Sequence, residues 1–291
     1  MSETGLVQLL DDRVRRPGRI CELAASRERP TSVVGASGRL MLVAADHPAR
    51  GALRAGDQPL AMADRWGLLR RLLVALSRPG VDGVLATADL LEDLLLLGAL
   101  EGKVVIGSMN RGGLAGTSFE LDDRFTGYDA EAIDRSGFQG GKMLLRIDPD
   151  DPATAPTLEA CANAVSALAQ RSLVAIVEPF ISHRVDGRVR NDLTAEAVIR
   201  SATVASGLGS TSAYTWLKLP VVEDMTDVLA ATTLPVLLLG GEVGNDQQAQ
   251  FAQWSDALAS PQVKGMVVGR SLLYPPDGDV AAAVDATVEM M

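Results

Sequence analysis

Lysine is scarce in this chain. Of 27 basic residues only four are lysines, Lys103, Lys142, Lys218 and Lys264. Arginine stays protonated at any working pH, whereas a desolvated lysine can give up its proton, so a lysine inside an apolar run marks a place that needs an amine. Lys142 in GKMLLRID and Lys218 in YTWLKL are placed in that way; Lys103 and Lys264 open the runs KVVIGS and KGMVVG and read as solvated. Two comparable runs end in carboxylates, LMLVAAD at Asp46 and SLVAIVE at Glu178. Alone, each would serve as a helix cap. Gathered with the two amines they form an acid/base set able to make an imine, in which one lysine attacks a carbonyl carbon and its neighbours move protons.

A second group of residues suits an anion. Gly240 and Gly241 in LLLGGEVG, with Gly269 and Arg270 in MVVGRSLL, would let backbone N–H groups approach a phosphate. Arg270 adds charge, and a short helix from Ser271 adds its positive end. Tight turns without a ligand are the plain alternative. The two histidines, His47 and His183, follow apolar runs and are candidates for orienting substrate or carrying a proton. Arg50, in the loop after His47, joins the substrate-binding candidates. The glycine-rich segment between Ser108 and Asp129 is long enough for a binding loop or lid, with Asn110 and Arg111 reaching toward a second anionic group; a subunit contact is the other reading. Two histidines are too few for a histidine-rich zinc site, so no metal or other cofactor is expected. Cys21 and Cys161 form no CxxC pair and read as small buried hydrophobes.

The elements that must position these residues alternate. From about Leu40, eight apolar runs, ending at Asp46, Thr87, Ser108, Asp148, Glu178, Leu219, Gly240 and Gly269, alternate with helical patterns. Helices are predicted over Met62–Leu76, Leu90–Leu100, Leu158–Gln170, Thr194–Ala205, Asp224–Ala231 and Asn245–Leu258, with the weakest pattern between the third and fourth strands. Continuously apolar strands belong to a parallel sheet covered on both faces. Eight such units favour a closed (β/α)8 barrel over a doubly wound open sheet. Residues 39–291 would form this α/β barrel, and residues 1–38 a helical extension that caps its bottom or joins a subunit interface. In such barrels the site lies at the C-terminal strand ends, which is where Asp46 and Glu178 fall. Strand alternation puts Trp216 and Lys218 on one face, toward the barrel interior, and Leu217 and Leu219 on the other. Burial and the nearby Lys142 would favour a free amine at Lys218.

The remaining composition excludes several classes. At 47% hydrophobic and 22% charged, the chain of 291 residues can bury a large core in one domain. A net charge of -10 with no basic cluster beside aromatics argues against nucleic acid. No apolar stretch has the length of a signal core or a membrane span, so a cytoplasmic protein with no membrane partner is expected, working as a homo-oligomer on a small phosphorylated carbonyl compound.

Taken together, AADHP with Asp46, GGKMLL with Lys142, VEPF with Glu178, WLKLP with Lys218, LLLGGE and VVGRSLL resemble the class I aldolase superfamily, over about Leu40 to Tyr274. The similarity is closest to tagatose-bisphosphate aldolase and its sulfo-sugar relatives; archaeal-type fructose-bisphosphate aldolases and deoxyribose-phosphate aldolases are more distant. The resemblance implies metal-free cleavage of a C–C bond through a Schiff base on Lys218, with Glu178 in proton transfer and Lys142 and Asp46 in accessory positions. Lys218-Leu219-Pro220 departs from the Lys-Ser/Thr-Gly element of the deoxyribose-phosphate branch. The loop from His47 to Gly51 and the loop after the third strand depart from the sugar-bisphosphate enzymes. The chain also looks like an aldolase-like group that accompanies inositol breakdown, which implies cleavage of 2-deoxy-5-keto-6-phosphogluconate to dihydroxyacetone phosphate and malonate semialdehyde. Rival readings are a phosphate-binding barrel isomerase or synthase without an imine, and a non-catalytic sugar-phosphate sensor.

Overall fold

The structure is a computed structural model that describes residues 3–35, 37–241 and 247–291. Nine strands form one sheet: β1 (Leu40–Ala44), β2 (Gly83–Ala86), β3 (Val104–Ser108), β4 (Gly140–Ile147), β5 (Val174–Val185), β6 (Arg188–Asp192), β7 (Thr215–Leu219), β8 (Val236–Leu239) and β9 (Val263–Val268). Eight of them pair in parallel in the order β4-β3-β2-β1-β9-β8-β7-β5, and β4 pairs again with β5, which closes the ring. The expected α/β barrel is therefore the fold, and the open sheet is not.

Two apolar layers hold it together. Leu40, Leu42, Leu85, Ile106, Ile176, Leu237 and Val267 fill the lower barrel interior, with Val33 and Trp216 packed against them. The opposite parity of the same strands, including Met41, Val43, Met143, Leu145, Leu217 and Leu219, meets the helices in a larger outer layer. Lys218 is thus inward and its neighbours Leu217 and Leu219 outward, as alternation requires.

The helices fall close to their predicted spans: Arg65–Ser77, Ala88–Leu96, Thr154–Ala169, Ala195–Ser206, Met225–Ala230 and Gln247–Leu258. Residues 245 and 246, the expected start of the last of these, lie outside the described residues. Between β3 and β4 only a six-residue helix forms, Ala130–Arg135, with the Asp129 carboxylate accepting from the Ala132 N–H at 2.7 Å. Helices Glu3–Arg15 and Arg19–Ser26 precede the barrel. Arg27 ties this extension to the barrel bottom by donating to the carbonyls of Leu100 (3.1 Å), Lys103 (3.0 Å) and Gly137 (2.9 Å) at the entries to β3 and β4.

Three details differ from expectation. The fifth barrel strand does not stop near Glu178; it runs on to Val185 and returns antiparallel as β6, with Ile181 opposite Asp192. The turn is Asp186-Gly187, both at positive φ (51° and 74°), a pairing that matches the twist of a two-residue hairpin. Cys21 is exposed and only Cys161 is buried, because Cys21 lies on the outer face of the extension. Lys103 is half-buried, its ammonium donating to the Val81 carbonyl at 2.6 Å.

Candidate active site

Four charged side chains, three on strands and one just past a strand end, meet at the top of the apolar interior. β5 presents Glu178 and β7 presents Lys218, whose Nζ lies 2.8 Å from Glu178 Oε1. The other carboxylate oxygen, Oε2, contacts the ammonium of Lys142 on β4. Lys142 Nζ is also 3.3 Å from Asp46 Oδ2, just past the end of β1. Lysine, carboxylate, lysine and carboxylate therefore form one continuous chain across the barrel, and Lys142 and Lys218 are 2% and 4% exposed.

Arg111 closes the far end of that chain. Its Nη2 approaches Asp46 Oδ2 to 2.6 Å, its Nε donates to Ser108 Oγ at 2.9 Å, and Ser108 Oγ donates to the same Asp46 oxygen at 3.0 Å. Burial alone would raise the Asp46 carboxyl, but Arg111 and then Lys142 outweigh it and hold the group well below its ordinary value. Glu178 behaves alike: burial opposes its charge, Lys142 and Lys218 favour it more, and it stays far below the usual carboxylate range. Both carboxylates are anions at neutral pH. For Lys142, burial prevails over Asp46 and Glu178 and lowers the ammonium below its usual value. His47, whose Nδ1 is 3.9 Å from Asp46 Oδ1, is driven down to about 3 by burial, with Arg270 and Lys218 adding to it, and is neutral.

Above these groups lies a cavity of about 510 Å³, within the range of small-molecule sites. Its walls include Asp46, His47, Arg50, Arg111, Lys142, Glu178, Lys218, Gly240, Gly241, Gly269 and Arg270, so most of the residues expected from sequence do share one mouth. A Cβ on Gly240 would come within 2.4 Å of Val268 Cγ1, and one on Gly269 within 2.7 Å of the Ala44 carbonyl; Gly241 has φ +69°. Gly240 and Gly269 leave no room for a side chain and Gly241 takes a backbone that favours glycine, which leaves the backbone bare beside Arg270. The helix after Gly269 is a single turn, Arg270–Leu273, starting one residue before Ser271.

Two expected ligands do not line this cavity. Asn110 is fully buried, donating to the Leu144 carbonyl at 2.6 Å and accepting from its N–H at 2.8 Å, so it splices the β3 loop onto the edge of β4. His183 sits on the exposed hairpin, 3.9 Å from Asp148 Oδ1. Arg111 faces the cavity but is committed to Asp46. Conversely, sequence reasoning passed over Arg146 and Glu120. Arg146 shares the inward parity of Lys142 on β4, two pleats further up, and that spacing was a readable signal. Its Nη1 donates to Glu120 Oε1 at 2.7 Å. Glu120 lies in the long loop after β3, and no local pattern marks it.

The segment between Ser108 and Asp129 packs inward and covers Arg146. A Cβ on Gly113 would lie 2.1 Å from the Glu120 carbonyl and 3.0 Å from Arg146 Nη2. Among the described residues no group of three His, Cys, Asp or Glu side chains comes together in a way that could hold a metal ion. No helix among them is long and apolar enough to cross a membrane.

The closed (β/α)8 barrel is a fold shared with Schiff-base-forming aldolases. The Schiff-base-forming fructose-1,6-bisphosphate aldolase superposes with a TM-score of 0.65 at 19% identity, covering 93% of this chain and 99% of that one. A fructose-bisphosphate aldolase from Slackia heliotrinireducens gives 0.60 at 16% identity, covering 100% and 92%. At these identities the likeness is one of fold. The chain itself belongs to the Cgl0159-like family, whose model matches residues 38–288. The crystal structure of Cgl0159 from Corynebacterium glutamicum is similar over the whole length, with a TM-score of 0.97 and 52% identity, covering 100% of this chain and 97% of that one. No curated protein matches the sequence.

Proposed function

We propose that the protein is a metal-independent class I aldolase acting on a phosphorylated ketose or keto acid. The observation that carries this reading is the buried Lys142–Glu178–Lys218 chain, because it places an amine, its proton acceptor and a second ammonium in contact at the floor of a ligand-sized cavity. Lys218 passes a proton to Glu178 and attacks the substrate ketone; the C–N bond forms and the carbonyl oxygen leaves as water. The protonated imine then draws electrons from the C–C bond one carbon away. Glu178, having passed its first proton on to Lys142, takes the proton of the hydroxyl on the departing carbon, which leaves as an aldehyde, and hands this proton to Lys142 in turn. Lys142, whose ammonium burial brings below its usual value, is placed to return protons, first to the leaving oxygen and later to the enamine carbon. A second water hydrolyses the imine and frees Lys218.

The phosphate would lie against Gly240, Gly241, Gly269 and Arg270, fixing the ketone over Lys218. The candidate substrate is 2-deoxy-5-keto-6-phosphogluconate, whose C3–C4 cleavage gives dihydroxyacetone phosphate and malonate semialdehyde. Incubation with dihydroxyacetone phosphate and borohydride should label one peptide, the one holding Lys218. Lys218→Met should abolish both labelling and turnover, since Met fills the space without leaving an unpaired charge. Lys142→Met should slow turnover and still permit labelling. Label on Lys142 reverses these roles. No label with any carbonyl substrate that is turned over sinks the imine mechanism, and so does activity that is lost on dialysis against EDTA and restored by zinc.

A further inference from the structure

The cavity has a second cationic end that the cleavage chemistry leaves unused. Around the ring, β4 is reached from β9 through β1, β2 and β3 on one side and through β8, β7 and β5 on the other, so the two strands face each other across the mouth. Arg270 follows β9. Arg146 rises from β4 on the opposite wall; Arg50, in the turn after β1, reaches it through their shared partner Glu120, and Arg190 lies on β6 beside β5, the neighbour of β4, all lining the same cavity.

These arginines are unequally satisfied. Arg146 is committed: it donates to the Glu120 carboxylate at 2.7 Å and to the Glu120 carbonyl, and lies 3.8 Å from Asp123. Glu120 in turn accepts from the Gly116 N–H at 2.7 Å. Arg50 is left 3.5 Å from Glu120 Oε1, the oxygen that Arg146 already holds. Burial first, then Arg146 and Arg111, lower its guanidinium to about 10, the mark of a cation short of neutralising charge. Arg190 is exposed, and among the described residues its side chain makes no hydrogen bond or ion pair.

We propose that this end binds a carboxylate through Arg50 and Arg190, which makes the substrate a phosphorylated acid that spans the barrel with its phosphate toward Arg270. The keto function of that acid rests on the aldolase reading above; the anion site does not. Charge decides between a carboxylate and a second phosphate. Arg50, Arg146 and Arg190 stand against Glu120 and Asp123, which leaves one positive charge. A carboxylate balances it and takes two parallel N–H bonds from a guanidinium fork. A phosphate dianion would leave excess negative charge beside the buried Glu120.

The test uses three ligands without a ketone, so that no imine can form: 6-phosphogluconate, glucitol 6-phosphate and glucitol 1,6-bisphosphate, each titrated calorimetrically. The acid should bind roughly ten- to a hundredfold tighter than glucitol 6-phosphate, the span expected for charge-assisted hydrogen bonds to one group. Arg50→Gln should narrow that ratio. Arg190→Gln, at an exposed position that does not burden folding, should narrow it independently. A wild-type ratio near one, a bisphosphate that binds tightest, or a ratio unmoved by both substitutions overturns the proposal. Borohydride labelling of Lys218 is scored on the same preparations. A normal ratio without labelling removes the aldolase reading and keeps the carboxylate site; labelling with a ratio near one does the reverse.

Discussion

At the scale of single residues, the arrangement separates attachment from chemistry. Arg270 borders a backbone that Gly240, Gly241 and Gly269 leave bare. Arg270→Ala should therefore raise KM for a phosphorylated substrate, by about 1.5 to 3 kcal/mol if one charge-assisted contact is lost. An unchanged KM would remove Arg270 from the binding site. Asp46 shows the other side of the division. Clamped by Arg111, Ser108 and Lys142, it is a fixed anion, suited to holding Lys142 in place and poorly suited to exchanging protons itself.

Elements explain which parts could be read in advance. A strand in a covered parallel sheet must be apolar on both faces, so a lysine or carboxylate inside it is conspicuous; Lys142, Lys218, Asp46 and Glu178 were legible for that reason. The helices were legible from their period. Loops give no such contrast. Asn110 was assigned to the ligand because its loop is long, yet its amide mimics a strand partner for Leu144, a use that depends on how the loop folds back. Glu120 became visible only once Arg146 stood beside it. The hairpin is legible too: Asp-Gly between RV and RVR is a strong turn signal, although the apolar run before it stops near Glu178. Gly113 carries the packing of the long loop. Gly113→Ala should push its Cβ into the Glu120 carbonyl and destabilise the fold by roughly 1 to 3 kcal/mol, as overpacking does, read by urea denaturation. A neutral result would show that the segment between Ser108 and Asp129 is looser than its contacts indicate.

For the whole molecule, the site sets the response to acid. His47 is neutral in the fold down to about 3, whereas in the unfolded chain it takes up a proton near its ordinary value. The unfolded state thus binds more protons below about pH 6.5, and stability must fall as pH drops into that window. Asp46 and Glu178, both depressed, add a further loss only below about pH 4. Unfolding free energies measured by urea should decline for the wild type between about pH 6.5 and pH 4.5, and the decline should be smaller for His47→Gln. A flat wild-type curve over that range would mean that His47 is not desolvated as the structure has it.

The lower barrel is packed solid, with Leu40, Leu42, Leu85 and Ile176 filling it and Val33 lodged beneath. Among the described residues, the site opens at the strand ends and not through the barrel. Under the proposed chemistry, substrate, aldehyde, phosphorylated product and both waters must pass through the same opening, and nothing can slip past an occupant. The reaction then becomes a queue: the aldehyde on the β4 side has to clear before the hydrolytic water can reach the imine beneath it, and a slow-leaving aldehyde would hold the enzyme in its covalent form.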